Sequence, residues 1–538
     1  MPIKYVFITG GVVSSLGKGL TAASIAELLE GRGIKVAMLK LDPYLNVDPG
    51  TMSPFQHGEV YVTDDGTETD LDLGHYYRYT NSPLSVASNA TSGQIYETVI
   101  KKERKGDYLG KTVQVIPHIT EEIKRRIVRC AKQEDDIQIV FVEIGGTVGD
   151  IESLPFMEAI RQFRNERKND CINIHLTYVP YIRAAGEVKT KPTQHSVQTL
   201  REIGIIPDII ICRCEKPLAK ELKEKISLFC NVKKEAVIDE EDVKKSIYEV
   251  PIMLHEGKID TMICRLLNLR CKKANLKKWK DLNRRIANPK GEITIGIVGK
   301  YLDHQDAYKS IFEALNHAAI DANQTLRIKK YESDKIVKNK SLSSQLKGCD
   351  GYLVPGGFGE RGWYGKLLAA EYCRTKKIPY FGICLGLQVM IVEYARNVLG
   401  LKDANSLEID AETSHPVISL MEEQKKIQNL GGTMRLGAYP CDLKEGSKAH
   451  KAYKKKHISE RHRHRFEFNN EYKEQFEEEG VIFTGLFHKG NLCEIAEIKS
   501  HPWMLGVQFH PEFKSKPTKP HPLFKSFISA ILKHKKKK

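Results

Sequence analysis

Two stretches of this chain carry residues whose types and spacing could do chemistry. The first is Thr9–Thr21, TGGVVSSLGKGLT. An apolar run precedes it and a helical pattern follows it, so it reads as strand, glycine-rich turn and helix. That arrangement cradles phosphates: turn amides and the positive end of the helix dipole face the anion, and Lys18 adds a full charge. The standard spacing is G-x-x-x-x-G-K-[ST]. Here the first glycine comes one place early, at Gly11, and Gly19 stands where a hydroxyl would hold Mg²⁺. The second stretch is Ile378–Met390, IPYFGICLGLQVM. An apolar strand, a G-x-C-x-G turn and a helix form a nucleophile elbow, in which flanking glycines let the chain turn sharply and expose Cys384. A sulfur at a helix N-terminus is favoured as thiolate. Val507-Gln-Phe-His510-Pro-Glu512 then supplies a histidine after an apolar strand and a carboxylate two residues on. In this reading Cys384 is the nucleophile, His510 the general base and Glu512 the group that orients the imidazole. Gly356-Gly357 and the amide after Cys384 can donate to an oxyanion.

Other residues are candidates by position. Ile137–Val142 is an apolar run without polar alternation, as in parallel strands covered on both faces. It ends in Glu143, followed by a glycine-rich passage to Asp150 and Glu152. Open parallel sheets place their chemistry at such strand ends. Asp70 and Asp72 lie two apart in a long polar passage and are expected on one side of an extended chain. Asp72 and Glu143 can supply hard oxygen ligands for the Mg²⁺ that Gly19 cannot hold. Lys189 and Lys191 are expected to clamp an anion. The run Glu460–Phe466, ERHRHRF, reads as an anion-binding strand rather than a metal site, because three arginines would compete with its histidines. Cys212 and Cys214 read as ordinary buried thiols.

The elements that must position these residues alternate strand and helix. From residue 3 to about 265 they describe one α/β domain with a largely parallel sheet. Residues 266–290 lose strand character and fill with Lys, Arg and Asn, so they read as a linker. A second α/β domain restarts at 291 and runs to 532, and 533–538 reads as a solvated basic tail. The whole chain has 538 residues with a formal net charge of +16 and 28% charged residues. No apolar run approaches the roughly 20 residues needed to span a bilayer. No basic face interleaved with aromatics points to nucleic acid. Twelve scattered cysteines suit a reducing compartment, and the cytoplasm is expected.

A Cys-His-Glu site and a phosphate loop on one chain suggest amide hydrolysis feeding ammonia to an ATP-activated acceptor. The sequence resembles the CTP synthase family over essentially its whole length, in the strings TGGVVSSLGKG, KLDPYLNVDPGTMSP, ETDLDLGHY, VEIGGTVGDIESLPF, GEVKTKPTQHS, LVPGGFG, GICLGLQ, ERHRHRFE and QFHPEF. The resemblance implies two three-layer α/β domains. The first is an amidoligase, a dethiobiotin-synthetase-like P-loop domain with a mainly parallel sheet; the second is a class I glutamine amidotransferase. It implies that ATP phosphorylates O4 of UTP and that ammonia from glutamine displaces the phosphate to give CTP.

By the same resemblance, Ser15, Leu16, Gly17, Lys18, Gly19, Leu20, Lys40, Asp72, Arg213, Glu241, Asp242 and Val243 bind ATP, and Asp72 and Glu143 bind Mg²⁺. Ser14, Asp150, Ile151, Glu152, Lys189, Thr190, Lys191, Pro192, Thr193, Gln194 and Lys225 hold UTP or the product CTP. Gly357, Leu385, Gly386, Leu387, Gln388, Glu408 and Arg465 hold glutamine, and Pro54, His57 and Val60 lie near an ammonia gate. GTP activation, CTP inhibition, nucleotide-dependent tetramers and filaments are implied as well. A partitioning-type ATPase would have no use for Cys384 and His510. A different glutamine amidotransferase would lack GEVKTKPTQHS and VEIGGTVGDIE.

Overall fold

The computed structural model describes residues 2–338, 340–420, 434–489 and 491–537. These form two compact units. The first comprises Met1–Asp48 and Asp72–Arg284, the second Pro49–Leu71 and Arg285–Lys538.

In the first unit the strands are β1 (Lys4–Gly10), β2 (Val36–Asp42), β3 (Asn89–Thr91), β4 (Ile139–Ile144), β5 (Cys171–Tyr178), β6 (Ile209–Cys214) and β7 (Val237–Glu241). They make a 7-stranded sheet in the order β7-β6-β5-β1-β4-β2-β3, and every pairing is parallel. β1, β2 and β4 are buried at every position, which is why they carry continuous apolar runs rather than alternation. The helices that matter here are α1 (Lys18–Glu30), α2 (Asp72–Tyr79), α3 (Lys191–Glu202), α4 (Lys220–Cys230), α5 (Ile259–Leu266) and α6 (Lys277–Ala287). Parallel register carries the C-terminal ends of β1, β2 and β4 to one edge, where the phosphate loop, Lys40 and Glu143 emerge.

The second unit contains β8 (Gly291–Gly299), α7 (Lys309–Asp321), β9 (Gln324–Glu332), β10 (Gly351–Val354), α8 (Trp363–Lys376), β11 (Tyr380–Ile383) and α9 (Leu385–Asn397). It continues with β12 (Arg435–Leu443), β13 (His457–His464), β14 (Val481–Phe487), β15 (Leu492–Ile498), β16 (Met504–Val507) and α10 (Pro522–Lys535). Its 9-stranded sheet runs β9-β8-β10-β11-β16-β15-β14-β12-β13. The first five strands pair in parallel and the rest antiparallel. β11 and β16 are neighbours, so Cys384 and His510, far apart in sequence, leave the sheet side by side.

Three boundaries differ from the sequence reading. Residues 49–71, expected in the first domain, belong to the second unit, where a hairpin pairs Tyr61–Val62 with Glu68–Thr69. The expected linker holds α6, which packs on the first unit. There Trp279 stacks on Tyr79 at 5.1 Å and its indole N–H donates to Glu27 at 2.6 Å. Trp279 and Leu282 form a buried stripe at helical spacing, hidden in the sequence by the lysines around them. The basic tail begins inside α10, which continues to Lys535, whose ammonium donates to the carbonyl of Glu292 at 2.8 Å. Lysines in a last helical turn complement the helix dipole. Lys538 lies outside the described residues.

Candidate functional sites

The loop between β1 and α1 is held in conformations that side chains seldom adopt. Val12 stands where the standard pattern has glycine and takes φ 82°; Ser15 takes 58° and Gly17 88°. Such strain persists where surrounding structure enforces it. The early glycine has a packing cause: a Cβ on Gly11 would lie 1.6 Å from the hydroxyl of Ser196. Ser196 in turn meets His175 Nε2 at 2.8 Å, and Thr9 meets the other ring nitrogen at 2.9 Å. Burial pushes the His175 imidazole down to about 3, so it is a neutral prop under the loop.

Gly19 has a similar explanation. A Cβ there would lie 2.3 Å from Asp72 Oδ1 and 3.2 Å from Glu143 Oε2. The carboxylates of α2 and β4 occupy the space that a serine or threonine would take. Lys40, from β2, donates to Asp72 and, at 2.8 Å, to Glu143 Oε1, and Tyr76 donates to the other oxygen of Glu143. Burial opposes the charge on Lys40, but Asp72, Glu143 and Asp42 outweigh it and hold the ammonium well above its usual range. Asp72 is pulled down against its burial, chiefly by Lys40; Glu143 is pushed up by burial, with Lys40 opposing. Lys18 reaches across to the carbonyl of Gly146 at 2.7 Å and is pushed down by burial and by Lys40.

Two carboxylates and two ammonium groups thus meet at the loop's rim. Among the described residues no group of three or more His, Cys, Asp and Glu could hold a metal alone. The pair Asp72 and Glu143 fits the donor set of Mg²⁺, which takes one or two carboxylates plus nucleotide phosphates. Asp72 opens α2 instead of lying on an extended chain, while Asp70 faces His57 at 3.5 Å in the second unit, so the two aspartates do not act as the expected extended pair.

Arg213, at the end of β6, donates to Glu240 at 3.0 Å and Asp242 at 2.6 Å. The buried Glu240 also accepts from Thr21 on α1 at 2.9 Å, a link that no local sequence signal announces. Beside it, Glu241, Asp242 and Val243 end β7 or follow it. Asp150 accepts from the Thr147 amide at 2.8 Å, and Ile151 and Glu152 are exposed. Lys189 pairs with Glu187, whose carboxyl is pulled down by Lys189 and, more weakly, by Lys225 on α4. Thr190 stands at the N-cap position of α3 without a side-chain cap bond, and its hydroxyl accepts from Gln194 at 3.1 Å. The hydroxyl of Thr193 is engaged internally with Thr177 and the Tyr178 carbonyl.

In the second unit Cys384 sits between β11 and α9 at φ 51°, ψ −105°, a strained turn of the kind that exposes a nucleophile. Its amide donates to the Val507 carbonyl at 2.7 Å. Both flanking glycines are required: a Cβ on Gly382 would lie 2.4 Å from the Gly386 carbonyl oxygen, and one on Gly386 would lie 2.1 Å from that of Val354. His510 Nδ1 meets Glu512 Oε1 at 2.7 Å, and Phe513 stacks on the imidazole at 5.2 Å. Burial opposes protonation of His510, yet Glu512 and Cys384 push it up to about 10. Gly356 lies against both groups; a Cβ there would be 2.9 Å from the His510 ring and 3.5 Å from Cys384 Cβ. Leu385 and Gly386 open α9, and the first amides of a helix have no intrahelical acceptor.

Glu408 accepts from the Gly359 amide at 2.7 Å, and its carboxyl is pushed up by burial while Lys300, Arg465 and Lys366 draw it down. Gln388 donates to the Phe466 carbonyl at 2.9 Å. Sequence reasoning missed Gln508, whose amide N–H donates to Cys384 Sγ at 3.6 Å. It also missed Lys300 and Lys366, whose positions beside Gly357 follow only from the fold. Burial pushes Lys366 down to about 7.

The anions expected for the arginine strand are carboxylates of this chain. Arg461 donates to Asp64 at 2.7 Å and to Tyr61 Oη at 2.6 Å; Arg463 donates to Glu68 at 2.7 Å. His462 and His464 are buried, 3.0 Å apart, and both are pushed well below the usual histidine range by burial and by Arg435. The docked segment lines a cavity of about 170 Å³ that includes Pro54, Glu59, Val60, Cys384, Arg463 and His510. His57 is engaged with Asp70 instead of lining it.

A family model described as CTP synthase N-terminus matches residues 4–269, and one described as Glutamine amidotransferase class-I matches residues 303–530. A CTP synthase of Protochlamydia amoebophila is 68% identical over 533 residues, covering 99% of this chain and 98% of the relative. One from Chlamydia pneumoniae is 60% identical over 537 residues, covering 100% and 99%; one from Geobacter sulfurreducens is 57% identical over 540 residues, covering 100% of each. With relatives this similar from end to end, the chain belongs to the CTP synthase family.

Proposed function

We propose that the chain converts UTP to CTP, using ATP and the amide nitrogen of glutamine. The observation that carries this reading is the pairing, on one chain, of a cysteine relay with a phosphate loop whose missing hydroxyl is replaced by two convergent carboxylates. The full-length likeness to CTP synthases supplies the substrates.

At the second unit, Cys384 Sγ attacks the glutamine amide carbon. The oxyanion is received by amides of Gly356–Gly357 and of Leu385, and His510 gives its proton to the departing ammonia. Water then cleaves the thioester to glutamate. Glu512 keeps the imidazole oriented and charged until that transfer. Gly357, Leu385–Gln388, Glu408 and Arg465 bind glutamine.

At the first unit, Lys18 and the loop from Ser15 to Leu20 bind the ATP phosphates, with Arg213 and Glu241–Val243 at the adenosine. Asp72 and Glu143 would hold Mg²⁺, which supplies charge neutralisation for the triphosphate. Lys40, held charged by its carboxylates, stands ready to stabilise the transferred phosphoryl group. Phosphorylation of UTP O4 makes a leaving group, and ammonia displaces it at C4. Ser14, Asp150–Glu152, Lys189–Gln194 and Lys225 hold UTP, or CTP as inhibitor. Activation by GTP, a nucleotide-dependent tetramer and a cytoplasmic setting complete the reading.

The test is chromatographic. Purified protein with UTP, ATP, Mg²⁺ and glutamine is expected to form CTP and glutamate together, and neither UTP-free nor ATP-free mixtures should form CTP. Absence of CTP in the complete mixture, with GTP present or absent, would overturn the proposal.

A further inference from the structure

Outside both sites, two thiols face each other at the end of the first unit. α5 closes with a left-handed residue, Asn268 at φ 51°. The Leu269 amide donates to the Cys264 carbonyl at 2.8 Å and the Asn268 amide to that of Arg265 at 3.3 Å. This is a Schellman cap, which reverses the chain and returns it along the helix. The reversal brings Cys271 back over Cys264, with the two sulfurs 3.1 Å apart.

The surroundings hold this arrangement in place. Arg32, just beyond α1, donates through Nε to Asp260 at 2.7 Å and through Nη2 to Thr261 at 2.6 Å, both on α5. Its Nη1 donates to the Lys272 carbonyl at 3.1 Å and to Cys271 Sγ at 3.7 Å. The Lys272 amide returns a bond to the Arg32 carbonyl at 3.1 Å, and that of Asn275 to Gly31 at 3.0 Å. One guanidinium therefore fixes the helix carrying Cys264 and the strand of chain carrying Cys271.

We propose that Cys264 and Cys271 form a reversible thiol-oxidation site, closing to an intrachain disulfide when the protein meets a hydroperoxide. A disulfide needs its sulfurs at about 2.0 Å, roughly 1 Å closer than they stand here. Cys271 is exposed and Cys264 buried, which sets the order of events. The Cys271 sulfur attacks the peroxide: an S–O bond forms, the O–O bond breaks, and the other oxygen leaves as water or alcohol with a proton. Cys264 Sγ then attacks the resulting sulfenic acid; the S–S bond forms, the S–O bond breaks, and hydroxide departs with the Cys264 proton as water. Each sulfur loses one electron and the peroxide gains two. The Arg32 cation is placed to stabilise negative charge on Cys271 during the attack. Burial pushes the Cys264 thiol up to about 12, so the exposed Cys271 is the one that meets the peroxide. The product would tie α5 covalently to the segment that leads into α6.

The test is mass mapping of the full chain, treated with hydrogen peroxide or dithiothreitol, alkylated, and digested with trypsin without reduction. Oxidised protein should lose the alkylated forms of IDTMICR, residues 259–265, and CK, residues 271–272, and gain the two peptides joined by a disulfide. Dithiothreitol should reverse the change. Cys264→Ser and Cys271→Ser should each lack the joined peptide, and Cys264→Ser should instead hold Cys271 as an overoxidised acid. Oxidation of Cys271 to sulfinic or sulfonic acid in the unsubstituted protein, with Cys264 still free to alkylate, would overturn the proposal. So would a disulfide joining Cys271 of two chains.

Discussion

At the scale of single residues, the phosphate loop departs from the common pattern because its neighbours already fill the space. Gly19 is a glycine because Asp72 and Glu143 stand where a Cβ would be. Gly19→Ala should therefore displace those carboxylates and Lys40. A misplacement near 1 Å typically costs on the order of a hundredfold in rate. CTP formation from glutamine and from added ammonium should fall alike, while thioester formation at Cys384 is unchanged; an unaltered rate would show that the contact is unimportant.

The imidazole offers a second residue-scale test. His510 moves from about 6.5 to about 10 in the folded protein. A raised histidine contributes stability that is fully present below the unfolded value and is lost as pH rises through the folded one. Glu512→Gln removes the larger of the charges that hold the buried imidazolium and should cost about 3 kcal/mol at low pH. In denaturant titrations the gap between the two proteins should be widest near pH 6 and shrink towards pH 10. A gap that widens with pH would contradict the assignment.

At the scale of elements, the segment 49–71 is held to the second unit by charge pairs, with Arg463–Glu68 the most buried of them. Removing one partner of a buried pair typically costs about 3–5 kcal/mol. Arg463→Ala should raise hydrogen exchange at Thr63 and Gly66, whose amides close the hairpin turn, and should weaken glutamine use, because the segment lines the cavity beside Cys384. Unchanged exchange would show that the hairpin holds without Arg463.

This docking also marks the limit of what the sequence reveals. Strands β1, β4 and β11, the phosphate loop and the elbow were legible because each is a local pattern, decided by neighbours within a few residues. Glu143 was legible from its place at a strand end. The partners of Arg461 and Arg463 were not, since Asp64 and Glu68 lie nearly 400 residues away in the chain. The same non-local packing turns the basic linker into a helix anchored by Trp279. It also places Lys300 and Lys366 at a site their own surroundings in sequence do not announce.

At the scale of the whole molecule, two units each hold one half of a coupled reaction. Ammonia loses its nucleophilicity when protonated, so nitrogen released at Cys384 should reach UTP without mixing with the solvent. Glutamine labelled with ¹⁵N at the amide, supplied with a large excess of unlabelled ammonium at pH 7, should give CTP carrying the label. Label diluted to the bulk ratio would indicate release to solvent.

The division of labour is tested most directly by two substitutions assayed with each nitrogen source. Cys384→Ala should abolish CTP formation from glutamine and leave formation from ammonium intact, whereas Lys18→Ala should abolish both. CTP from glutamine in the Cys384→Ala protein, loss of the ammonium reaction with it, or either activity surviving in Lys18→Ala would contradict the account.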